Sequence, residues 1–176
     1  ITNTDGRATA TRTLGTTPGT QTTTATATLT GGSTTVTFTV TATVGGATQM
    51  IIDAGQSQVD TVGQTLPIPL AVRVADQFSN AVAGVLISWA VFDGAGSVNP
   101  SSSTTNASGI ATTSWTLGTV TTPTDSIQLV RATGVASPIT FTAFTVPDAV
   151  SAEQTSVTAA PTTIGASTGS SASTIT

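Results

Sequence analysis

Val36-Thr37-Phe38-Thr39-Val40-Thr41-Ala42-Thr43-Val44 alternates an apolar side chain with threonine over nine residues. Successive side chains of a β-strand point to opposite faces, so the stretch predicts a strand with one buried face and one hydroxylated face. Thr23 to Leu29 alternates Ala and Thr more weakly. It is expected to pair with the first strand as a hairpin across Gly31-Gly32.

The stretch also has an echo. Val36-Thr37-Phe38-Thr39 returns 103 residues later as Ile139-Thr140-Phe141-Thr142. The same spacing carries Gly6 to Thr16 onto Gly109 to Thr119, where seven of eleven positions are identical. A repeat of that length is a domain, too long for a solenoid unit. The expected division is the closing half of a unit over 1–46, a complete unit over 47–146 and the opening strands of a third over 147–176. Thr163-Ile164-Gly165 stands in the last piece where Thr61-Val62-Gly63 stands one unit earlier. Neither flank can bury two sheets by itself, and a lone strand pair is marginal in water.

Within 47–146 the strand signals are Met50-Ile51-Ile52, Leu70 to Val74, Val85 to Phe92, Gly96-Ser97-Val98, Ile110 to Leu117, Ser126 to Ala132 and Ile139 to Phe144. About seven strands in roughly a hundred residues, with no apolar stripe of helical period, predict an all-β antiparallel sandwich.

Composition excludes much chemistry. The chain has no Cys, His, Lys or Tyr. A Ser-His-Asp triad, a Cys nucleophile, a Schiff-base lysine and a His or Cys metal site are therefore absent. Four arginines against eight acids give a net charge of −4, so no basic patch awaits nucleic acid. Charged residues make up 7% of the chain and threonine roughly a quarter, so hydroxyls must wet the surface. No apolar run approaches the roughly 20 residues of a membrane span. The reading is a non-enzyme without cofactor or metal.

Asp76-Gln77-Phe78-Ser79-Asn80-Ala81-Val82-Ala83-Gly84-Val85-Leu86-Ile87-Ser88-Trp89, Gly94-Ala95-Gly96-Ser97-Val98 and Thr104-Thr105-Asn106-Ala107-Ser108-Gly109-Ile110-Ala111 occur in that order. These stretches resemble bacterial Ig-like domains of the invasin and intimin type. The resemblance covers about 47–146 fully and the flanks in part. It implies an Ig-like sandwich in which the first stretch is the turn and strand from B to C and the last a turn opening a later hairpin. It also implies an exported cell-surface or extracellular protein, with a periplasmic one as the alternative, whose repeats act as semi-rigid spacers. The implied partners are neighbouring Ig-like domains of the same or another chain and a protein or glycan surface.

Of the candidate residues, Trp89 is expected in the core between the sheets. Trp115 aligns with Arg12 in the other copy and is expected to face outward, offering a ring to a subunit or glycan. Asp76 is expected to accept backbone amides around Asn80 and Gly84, with Gly109 in a turn. Asp53, Asp60, Asp76, Asp93, Asp125 and Asp148 stand singly, which argues against a calcium site and against a catalytic carboxylate pair. Asn106-Ala107-Ser108 fits a glycosylation pattern but is explained by a turn, while Thr20 to Thr28 and Ser170 to Thr174 could accept O-linked sugars.

Two rival readings stand beside the spacer. One is strand exchange between copies, against which stands the lack of counterparts for about 74–103. The other is an accessory subunit docked on a larger envelope assembly.

Overall fold

The computed structural model describes residues 2–119, 127–135 and 137–147. Its elements are all strands: β1 (Gly19–Leu29), β2 (Gly32–Ala42), β3 (Gln49–Ala54), β4 (Gln58–Thr61), β5 (Leu70–Ala75), β6 (Leu86–Asp93), β7 (Ser97–Asn99), β8 (Ser102–Thr104), β9 (Ile110–Thr116), β10 (Ile127–Thr133) and β11 (Ile139–Val146). The protein is an all-β sandwich preceded by a separate hairpin. One sheet runs β4-β11-β10-β6-β8 and the other β3-β5-β9-β7. Pairing is antiparallel except between β11 and β4, which run parallel.

Alternation explains which side chains meet. Leu70, Val72 and Val74 of β5 and Ala111 and Trp115 of β9 face Ile87 and Trp89 of β6, Val130 and Ala132 of β10, and Phe141 and Ala143 of β11. The Trp89 and Phe141 rings lie 5.9 Å apart at 49°, a tilted contact that suits two aromatic quadrupoles. Trp89 also donates its Nε1–H to the Ser103 hydroxyl at 2.9 Å, which satisfies the polar edge of a ring only 3% exposed. On the outer face of the same sheet the Arg131 guanidinium lies 3.9 Å from the centre of the exposed Phe92 ring.

Trp115 requires a correction, because it is fully buried rather than outward. Ala111, Thr113 and Trp115 share one parity of β9, and that parity points into the core. The aligned Arg12 misleads because the first copy forms no strand there.

β4 and β8 are additional to the expected set. Gln58-Val59-Asp60-Thr61 and Ser102-Ser103-Thr104 sit at sheet edges, so neither needs the apolar alternation that marks a central strand.

β1 and β2 pair in full register from Gly19↔Ala42 to Leu29↔Gly32. One face carries Ala25, Ala27, Leu29, Val36, Phe38 and Val40; the other carries the pairs Thr20–Thr41, Thr22–Thr39, Thr24–Thr37, Thr26–Thr35 and Thr28–Ser33. The apolar face was expected to be buried. Instead Val36, Phe38 and Val40 are 55%, 57% and 42% exposed, because no second sheet lies over them among the described residues.

Candidate functional site

Where β5 ends, Asp76 turns its carboxylate into a junction. The side chain is 1% exposed and accepts hydrogen bonds from the backbone N–H of Phe78 and Asn80, both at 2.9 Å, and from Asn80 Nδ2 at 2.9 Å. It also accepts the N–H of Gly45 at 3.1 Å, from the segment that joins the hairpin to the sandwich. The Asn80 side-chain amide, followed by the backbone amides of Asn80, Gly45 and Phe78, holds the Asp76 carboxyl down at about 2 against the upward push of burial.

Asn80 makes the second half of the joint. Its Nδ2 donates to the Thr16 carbonyl at 2.8 Å, so one amide ties the approach to the hairpin onto the turn after β5. Gly84 is not part of this carboxylate cap. It sits at φ +78° and donates its N–H to Thr105 O at 2.9 Å, closing the far end of the turn before β6. The buried Thr105 hydroxyl completes that closure, donating to Val82 O and accepting from Val85 N–H.

Gly109 stands at φ +75°, and a Cβ there would run into Val74 O. Only glycine admits that close approach at a left-handed position. Before it, Asn106 Oδ1 accepts the N–H of Ser108 at 2.9 Å and of Ile110 at 3.1 Å, Asn106 N–H donates to Ile110 O and Gly109 N–H to Asn106 O. The same four bonds recur 103 residues earlier. Asn3 Oδ1 accepts the N–H of Asp5 and of Arg7, Asn3 N–H donates to Arg7 O and Gly6 N–H to Asn3 O, with Gly6 at φ +73°. Asn106 therefore spends its side-chain oxygen on the turn, the role that explains its triplet.

A second pair of matching contacts was not visible in the sequence. The fully buried Gln128 of β10 accepts the Gly118 N–H at 2.7 Å and donates to Gly118 O at 3.2 Å. Gln21 of β1 does the same to Gly15, at 2.9 and 3.3 Å. Gly15 and Gly118 are 103 residues apart, whereas Gln21 and Gln128 are 107 apart. With that four-residue slip, the β1–β2 register Phe38↔Thr23 falls on the β10–β11 register Phe141↔Val130. The clue in the sequence was the Leu-Gly-Thr shared by 14–16 and 117–119; the clamping glutamine was hidden by the slip.

The two hairpins thus present equivalent faces in different surroundings. No family model matches the chain, and no curated protein matches it. Among solved structures it is similar to the D00-D0 domain of intimin, with 20% identity, a TM-score of 0.44 and 72% of this chain matched to 64% of that one. It is also similar to domains 4 and 5 of the S-layer protein SbsC, with 14% identity, a TM-score of 0.46 and 73% of this chain matched to 66% of that one. The chain spans less than two thirds of either structure.

Among the described residues no group of three or more Asp or Glu side chains is placed to share a metal ion. Asp125 and Asp148 lie outside the described residues, as does Ser170 to Thr174. The site thus comprises a hydrogen-bonded joint at one end of a sandwich and a bare apolar sheet face beyond it.

Proposed function

We propose that this chain is a structural segment of an exported bacterial surface or fibre-forming protein, built from tandem Ig-like units that act as a semi-rigid spacer. On this reading residues 1–46 close one unit, 47–146 form the next and 147–176 open a third. The supporting observation is the joint itself. Asp76 and Asn80, in the turn after β5, hold Gly45 and Thr16 on either side of the hairpin, which resists swinging about the 43–48 connection. A joint of backbone hydrogen bonds to a buried carboxylate is stiffer than a bare glycine linker. The hydroxyl-rich, weakly charged composition suits an exposed surface role and no catalytic one.

Spin labels on the hairpin and on β6 test the joint. A narrow distance distribution is expected for the unmodified chain and a broad one for Asp76→Ala; equally broad distributions in both would refute the spacer reading.

A further inference from the structure

The crossing between the two sheets is fastened more heavily than its share of the core explains. After β3 the chain leaves one sheet at Gly55 and enters the other at β4, passing through left-handed conformations at Gly55, φ +88°, and Ser57, φ +59°. A Cβ on Gly55 would run into Pro69 O and the Leu70 backbone, so the crossing lies hard against that segment. β4 itself buries little. Val59 is 61% exposed and Gln58, Asp60 and Thr61 are half-buried, so no side chain of this strand belongs to the apolar core.

Two glutamines brace it instead. Gln58 Nε2 donates to Gly55 O at 3.0 Å and to Ile68 O at 2.7 Å, and its Oε1 accepts the Ile68 N–H at 3.0 Å. Gln56 Oε1 accepts the Thr142 N–H of β11 at 3.1 Å. On the backbone, the Ser57 N–H donates to Thr142 O at 2.9 Å ahead of the β4–β11 ladder, and the Val62 N–H donates to Val146 O at 3.1 Å beyond it. The ladder is bonded at both ends and held by a side chain at its start.

We infer that this crossing is a tension bypass: a pull along the chain runs from β3 through β4 into β11 and is met by the β4–β11 ladder in shear, rather than by the packing of the apolar core. The inference rests on the spacer reading and adds what keeps such a unit folded when the array is stretched.

Strand direction carries it. The chain enters at the joint, where the Thr48 N–H meets Ala75 O beside Asp76, and β3 runs away from that end along β5. β4 and β11 run parallel, and β11 leaves at the opposite end, where Val146 pairs with Thr61. A pull on 43–48 therefore draws β4 toward the joint while a pull beyond Val146 draws β11 away from it. Both pulls lie along the strands, and the evenly spaced bonds of a parallel pair must then slip together. Antiparallel strands joined by a hairpin and pulled at their free ends open one bond after another. Among the described residues β4 and β11 form the one parallel ladder, and it joins the first and last strands of the sandwich.

Force spectroscopy on the full chain tests this. The chain has no cysteine, so paired substitutions give unique handles. Thr48→Cys with Pro147→Cys pulls the ladder along its strands, whereas Gln64→Cys with Pro147→Cys parts β4 and β11 from one end. The first pair is expected to hold to a several-fold higher rupture force. Gln56→Ala should lower that force with little change in the urea midpoint, because Gln56 is exposed and water replaces its bond at equilibrium. Thr105→Ala, which loses two bonds away from the crossing, should lower the midpoint and leave the force. Forced unfolding follows the unfolding barrier and urea the equilibrium, so the two readings separate. Equal forces for the two handle pairs overturn the inference, as does a force that merely tracks the urea midpoint across the variants. A weak first pair in a chain whose labelled joint stays narrow sinks the bypass alone and leaves the spacer reading standing.

Discussion

The β1–β2 and β10–β11 hairpins carry matching inner faces and have opposite fates. Phe38 is 57% exposed where Phe141 is 0% exposed, and Leu14 is 40% exposed where Leu117 is 2% exposed. Each hairpin is anchored by a glutamine on a Leu-Gly-Thr segment. The difference lies in what covers them, since β5 and β9 lie over β10 and β11 while no sheet covers β1 and β2 among the described residues. Local pattern sets which face of a strand is apolar; only a second layer turns that face into a core.

The sharpest way to break the comparison is to truncate both phenylalanines. Phe141→Ala should cost about 3–5 kcal/mol of stability in urea unfolding, the usual loss for a fully buried aromatic. Phe38→Ala should stay within about 0.5 kcal/mol in monomeric protein, as at other exposed sites. Equal losses would mean that Phe38 is covered after all.

A smaller contrast comes from the glutamines. Gln128→Ala strands the N–H and C=O of the buried Gly118 without partners, and a loss of about 1–3 kcal/mol is expected. Gln21→Ala leaves Gly15 open to water and should cost less than about 1 kcal/mol, since solvent replaces the lost bonds. Urea melts of the two variants give both numbers, and a larger loss for Gln21 would reverse the assignment of which copy is the finished one.

The smallest effect is local and depends on pH. Asp76 titrates at about 2 when folded against an ordinary 3.8, so the folded state favours its ionised form. The stabilisation is complete above pH 3.8 and fades as pH falls through that value toward 2. Gly45 amide exchange should therefore quicken as pH falls over that window, once corrected for intrinsic rates, while the Val72 amide in the centre of β5 keeps its protection. A Gly45 amide that shows no such change would remove the carboxylate from the joint.

The sandwich was legible in the sequence because its central strands are apolar on one parity. Ile87 and Trp89 of β6, Val130 and Ala132 of β10, and Phe141 and Ala143 of β11 follow that rule. β4 and β8 escaped because short edge strands of Gln, Ser and Thr carry no such signal. Trp115 was misread for a different reason: its environment was inferred from a repeat partner, Arg12, whose own segment forms no strand. Gln128 was invisible because a glutamine in a strand ordinarily reads as surface, and its burial rests on the backbone of Gly118, ten residues away in sequence. The Asp76 cap was legible in part, since an Asp before a turn is expected to accept nearby amides; the reach to Gly45, thirty-one residues away, was not.

The outer face of the β1–β2 hairpin, with its five threonine and serine pairs, has a consequence for the setting in which such a protein works. Hydroxyl groups neither titrate in ordinary surroundings nor gather a counterion cloud. Salt shortens the reach of charged surfaces to about 8 Å at physiological strength, but it has no charge on this face to screen. A surface wetted this way carries no charge for salt or mild acid to alter, so its contacts answer to shape and dryness.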